Sequence, residues 1–118
     1  MIIKPWNIYL TRGGRRLDTF FIEEARPILI TRWVEREKMR STWEGWAWWS
    51  TKHRGGDLCG PFWLGVHGNI RSDGRTSSLD ITKHLISVRD LVTRKLNPPP
   101  IEWTLRAYAR YSERDLFF

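Results

Sequence analysis

The stretch Trp43–Asn69, WEGWAWWSTKHRGGDLCGPFWLGVHGN, holds five of the eight tryptophans in a chain of 118 residues. Each large ring buries far more area than an aliphatic side chain, so this segment supplies either much of a core or most of a binding surface. Its punctuation reads as a β-hairpin over residues 43–70. One run extends from Trp43 to Thr51, a loop passes through Lys52-His53-Arg54-Gly55-Gly56-Asp57, and a second run extends from Pro61 to Ile70. Strand alternation puts Trp43, Gly45, Ala47 and Trp49 on one face, and Glu44, Trp46, Trp48 and Ser50 on the other. Tryptophan on both faces implies a second layer, a partner or an exposed stacking platform.

Upstream, Gly13-Gly14 suits a two-residue turn whose central positions need positive φ, and it predicts a hairpin over 5–23. In that register Leu10 faces Leu17, Ile8 faces Thr19 and Trp6 faces Phe21. Arg12 then lies opposite Arg15 with Arg16 beside them. Like charges so placed repel, which makes the tip a candidate anion site. Residues 28–40 are ambiguous. Pro27 and the charged end Glu35-Arg36-Glu37-Lys38 favour a short helix, whereas Ile28, Ile30, Thr31 and Val34 favour a strand, and helix is the expectation. The charged end itself reads as a solvated face.

Downstream, Ile81, Leu85, Val88, Val92 and Leu96 recur at three- and four-residue steps, and Ser77 with Asp80 resembles a capping box. This predicts the main helix over 79–96, carrying Asp90 and Arg94 at ion-pair spacing and stopped by Pro98-Pro99-Pro100. A strand over 101–111 follows, with Ile101, Trp103, Leu105, Ala107 and Ala109 on one face and Glu102, Thr104, Arg106, Tyr108 and Arg110 on the other. The expected architecture is therefore α+β: one domain over 1–118, an antiparallel sheet of about five strands, and the 79–96 helix packed on one face.

Twenty basic residues against thirteen acidic ones give a formal charge of +7, and fifteen of the twenty are arginine. That balance favours an anionic partner. No apolar run reaches the roughly 18 residues that span a bilayer, and the first ten residues lack the pattern of a secretory signal. With a single cysteine, Cys59, a cytoplasmic or otherwise intracellular setting without membrane attachment is the expectation. Gly45-Trp46-Ala47-Trp48-Trp49 resembles a short stretch of the Vif accessory proteins of primate lentiviruses. That family's zinc motif needs two cysteines where this chain has one, so neither metal nor fold carries over from the resemblance.

Catalytic signatures are sparse. His53, Asp57, Cys59 and His67 are metal-ligating types, yet their spacing matches no compact paired-ligand pattern, and neither metal nor cofactor is expected. Cys59 with His67 makes a nucleophile pair by residue type alone. The glycines form no phosphate-binding loop, so an enzyme is the lesser expectation. The positive case joins arginine, which grips phosphates and stacks on bases, to aromatic rings that stack on unpaired bases. The candidate nucleic-acid-binding residues are Arg12, Arg15 and Arg16 at the tip; Trp46, Trp48, Lys52, His53 and Arg54 in the tryptophan hairpin; and Arg106, Tyr108 and Arg110 on the last strand. RNA or single-stranded DNA is the expected partner. The alternative is an accessory protein of viral, phage or plasmid type, an inhibitor or assembly subunit, that binds a protein or a second copy of itself through exposed tryptophans.

Overall fold

The computed structural model describes residues 1–15, 22–38, 40–49, 57–71 and 73–92. The strands are β1 (Asn7–Thr11), β2 (Gly14–Arg15), β3 (Ile22–Glu23), β4 (Pro27–Val34), β5 (Thr42–Trp49), β6 (Asp57–Leu64) and β7 (Ile81–Ser87), followed by a one-turn helix, α1 (Val88–Val92). Five strands form one antiparallel sheet in the order β6-β5-β4-β1-β7, and β2 pairs with β3 in a separate short ladder. The described chain is mainly β, which corrects the α+β expectation.

Within the ambiguous segment 28–40, residues 28–34 are strand and not helix. Ile28, Leu29, Ile30 and Thr31 are all buried in succession, a pattern that belongs to a central strand covered on both faces. Pro27 opens β4 rather than a helix, at a strand end where its missing N–H disturbs the ladder least. The charged residues 35–38 lie beyond the strand, in the connection to β5.

The 79–96 helix is corrected too. Ile81–Ser87 is a strand paired with β1, and among the described residues the helix covers Val88–Val92; residues 93–96 lie outside them. Ser77 and Asp80 make one of the two contacts of a capping box: Ser77 N–H donates to Asp80 Oδ2 at 2.8 Å, whereas Asp80 N–H donates to the Ser77 backbone carbonyl at 3.1 Å and the Ser77 hydroxyl accepts from Leu79 N–H at 3.3 Å. These bonds close a turn instead of starting a helix, because Asp80 Oδ1 also accepts the Ile70 N–H at 2.9 Å and binds the preceding loop.

The 5–23 hairpin fails for a topological reason. Both edges of β1 are taken, by β4 (Tyr9 opposite Ile28) and by β7 (Tyr9 opposite His84), so no edge remains for the segment after the glycines. Gly13 and Gly14 do adopt positive φ, 68° and 104°, but the Arg12 and Gly13 N–H groups donate to the Asp80 and Ser78 carbonyls. Leu17, Thr19 and Phe21 lie outside the described residues. So does the predicted strand 101–111.

The tryptophan hairpin forms as β5 and β6, with Trp43 opposite Leu64 and Trp48 opposite Leu58, but its second strand is Asp57–Leu64 and not residues 61–70, because the chain turns after Leu64, where Gly65 N–H donates to the Asn69 carbonyl. Two apolar clusters sandwich the sheet. Tyr9, Ile28, Ile30, Ala47 and Leu64 fill one face, joined by Trp43 and Phe62 and covered by Ile3 and Ile70. Ile8, Leu29, Trp48 and Ile86 fill the other, joined by Trp46 and Leu58 and covered by Trp6, Val88 and Leu91. Trp43 thus packs against the first cluster, and Trp46 and Trp48 belong to the second. Gly45 has a packing role: a Cβ there would sit 2.7 Å from Leu64 Cδ1 and 2.9 Å from Ile28 Cδ1, both on fully buried side chains. Among the described residues, no helix is long and apolar enough to cross a membrane.

Candidate nucleic-acid interface

Two irregularities shape the β4-β5-β6 end of the sheet. Between β4 and β5 the register passes from Ile30 opposite Gly45 to Arg32 opposite Glu44, so Thr31 is an extra residue. Between β5 and β6 it passes from Gly45 opposite Phe62 to Ala47 opposite Cys59, so Gly60 and Pro61 together oppose Trp46. Bulges of this kind re-aim side chains. Here the first turns both Thr31 and Arg32 onto the Glu44 carboxylate.

Glu44 is the hub. Its Oε1 accepts from Thr31 Oγ1 at 2.7 Å and from Trp46 Nε1 at 3.3 Å, while Oε2 accepts from Arg32 Nε at 3.2 Å and Nη2 at 3.1 Å. Burial pushes this carboxyl upward, but the hydrogen bonds from Thr31, Arg32 and Trp46 and the Arg32 charge outweigh it and hold the group below its ordinary value. It stays ionised at neutral pH. The Arg32 side chain is 66% exposed and reaches past Glu44 into solvent.

On the far side of Glu44 lies its β6 partner, Trp63, 37% exposed and the most exposed tryptophan among those whose side chains are described. The Arg36 guanidinium sits 4.5 Å from its ring centroid, a cation–π distance. Arg32, Glu44 and Trp63 therefore form a cross-strand row on one face. The next row, Trp33, Trp43 and Leu64, points to the opposite face, where Trp33 and Trp43 pack edge to face at 5.1 Å. Elsewhere, Arg71 and Arg75 both approach Asp73, whose carboxyl lies below its ordinary value through hydrogen bonds from Arg71 and from the Arg75 backbone.

The residues expected from sequence are only partly brought together. Trp46 is half-buried, its ring against Gly60 and its N–H on Glu44. Trp48 is a core residue, 3% exposed, which removes it from any stacking surface. Arg12 is exposed, at the end of β1. Arg15 lies on β2, and Arg16, Lys52, His53, Arg54, Arg106, Tyr108 and Arg110 lie outside the described residues or, for Arg15, have no described side chain. Cys59 is half-buried on β6 and His67 is exposed in the turn after it. No group of three or more His, Cys, Asp or Glu that could hold a metal occurs among the described residues. Sequence reading missed Arg32, Arg36, Glu44 and Trp63. Mixed charge over 35–38 reads as solvated, and nothing local announces that Arg36 reaches a ring on β6.

Comparison of this chain with protein-family models, with curated proteins and with solved structures finds no match.

Proposed function

We propose that this protein binds nucleic acid, with RNA or single-stranded DNA preferred, through arginine-rich and aromatic surface. The observation that carries the reading is the Arg36 guanidinium over the exposed Trp63 ring, one strand away from the Arg32–Glu44 pair, in a chain of net charge +7. Cationic groups supply the sequence-independent attraction to phosphate, and an exposed ring supplies a surface that any unpaired base can cover. The competing role, capture of a protein through exposed tryptophans, draws less support. Trp48 is buried, and Trp6, Trp33, Trp43 and Trp46 are half-buried in packing contacts.

The test is anisotropy titration of labelled RNA, single-stranded DNA and duplex DNA at increasing salt. Binding should weaken steeply with salt, by about 0.7 in log–log slope per single-strand phosphate engaged. A protein that binds none of the three at low salt is not a nucleic-acid-binding protein, and salt-insensitive retention of a protein partner would favour the accessory role.

A further inference from the structure

Resting on that reading, we propose a defined subsite: an unpaired base stacks on the Arg36–Trp63 pair at the end of β6, and a neighbouring phosphate is taken by the outward donors of Arg32. Three observations on the cross-strand row support it.

First, Glu44 is not available to a ligand. A carboxylate offers about four lone-pair sites, and Thr31, Trp46 and the two Arg32 nitrogens occupy them. Its role is to hold Arg32 and Trp46 in place. Its charge, compensated by a guanidinium, does not repel an incoming phosphate as a bare carboxylate would.

Second, Arg32 retains capacity. A guanidinium carries about five N–H donors, of which Glu44 takes two, and the side chain is 66% exposed. The Glu44 contact fixes the guanidinium by its Nε and Nη2 nitrogens, so the remaining donors are pre-organised at little entropic cost.

Third, the spacing suits one nucleotide. Arg32 and Trp63 each stand across from Glu44, on the strands to either side of it. At about 4.8 Å per strand their backbones are roughly 10 Å apart, a span that a base and its adjoining phosphate bridge. The ring must meet a base that is free of its own stack, which selects single strands over duplex.

The experiment compares wild type, Trp63→Ala, Trp63→Phe and Arg32→Ser for affinity toward a single-stranded oligonucleotide of about 15 nucleotides, within the usual range of single-strand site sizes, and toward its duplex. Trp63→Ala should weaken single-strand binding by about 5- to 150-fold, the loss of one stacked base, with a smaller effect on duplex, and Trp63→Phe should restore most of it. Arg32→Ser should lower the salt slope by about 0.7. Photocrosslinking wild type to a 5-bromouracil oligonucleotide should label Trp63, a readout independent of how the variants fold. If wild type binds but Trp63→Ala binds equally well, or loses single strand and duplex alike, or the crosslink maps away from β6, the subsite is wrong while the nucleic-acid reading stands. An unchanged slope in Arg32→Ser removes the phosphate contact. If wild type binds no oligonucleotide, the reading beneath the subsite fails with it.

Discussion

Replacing Glu44 tests whether this carboxylate organises the β4-β5-β6 end of the sheet. Its side chain is 12% exposed and is held by Thr31, Trp46 and Arg32. Glu44→Gln preserves the shape and one carbonyl oxygen, which can still accept from Thr31 and Trp46, but it turns an NH2 toward Arg32. Arg32 is exposed enough to turn into water, so the lost pairing costs about 0–1 kcal/mol. Glu44→Ala is different in kind. It removes the carboxylate that accepts from the Trp46 N–H and leaves the Thr31 hydroxyl only its longer bond to the Glu44 backbone carbonyl at 3.3 Å, a loss of about 1–3 kcal/mol where water does not replace the acceptor. The expected order is a loss of about 1 kcal/mol or less for Gln and about 1–3 kcal/mol for Ala. At this chain length each kcal/mol is worth roughly 3–6 °C in Tm.

The pH dependence follows from the sign of the shift. The folded-state carboxyl lies below its ordinary value of 4.5, so as pH falls the unfolded chain takes up the proton first. Its contribution is therefore complete above the ordinary value and is lost as pH falls through the folded value. Glutamine does not titrate. Urea denaturation followed by tryptophan fluorescence should show a constant gap between wild type and Glu44→Gln from about pH 8 to pH 5, closing as pH falls through the lowered folded-state value of the carboxyl. A gap of the same size at both ends, or glutamine as damaging as alanine, would refute the assignment of Glu44 as the organising acceptor.

Asp80→Ala removes the acceptor for the Ile70 and Ser77 N–H groups at a site that is 6% exposed; it should cost about 2–4 kcal/mol by denaturation, with Asp80→Asn falling between it and wild type. Trp48→Ala should destabilise by about 3–5 kcal/mol, as expected for truncating a buried aromatic, while Trp63→Ala at the surface should stay within about 1 kcal/mol, so equal losses in the two would overturn the division between core and surface tryptophans.

Much of the tryptophan hairpin was legible because its determinants are local. The two runs do pair with each other, although the second starts at Asp57 and not at Pro61, and period-two alternation assigned Trp43 and Ala47 to one face and Trp46 and Trp48 to the other, as the two clusters have them. The positive φ at Gly13 and Gly14 and the contacts between Ser77 and Asp80 were local too, but their consequences were not. A two-glycine turn makes a hairpin only if the preceding strand has an edge to offer, and β4 and β7 occupy both edges of β1. Ile81, Leu85 and Val88 satisfy helical spacing, yet β1 supplied a ladder for Ile81–Ser87, and backbone pairing with a strand some seventy residues upstream overrode the local period. For β4 the deciding fact was burial on both faces, which only the assembled sheet creates. The candidate site belongs to the same class. Arg32, Glu44 and Trp63 come from three strands and Arg36 from a connection, and an extra residue in β4 decides which side chains meet. Such a row exists only in the tertiary structure, because a one-residue bulge leaves no mark in the composition or periodicity of the strand that contains it.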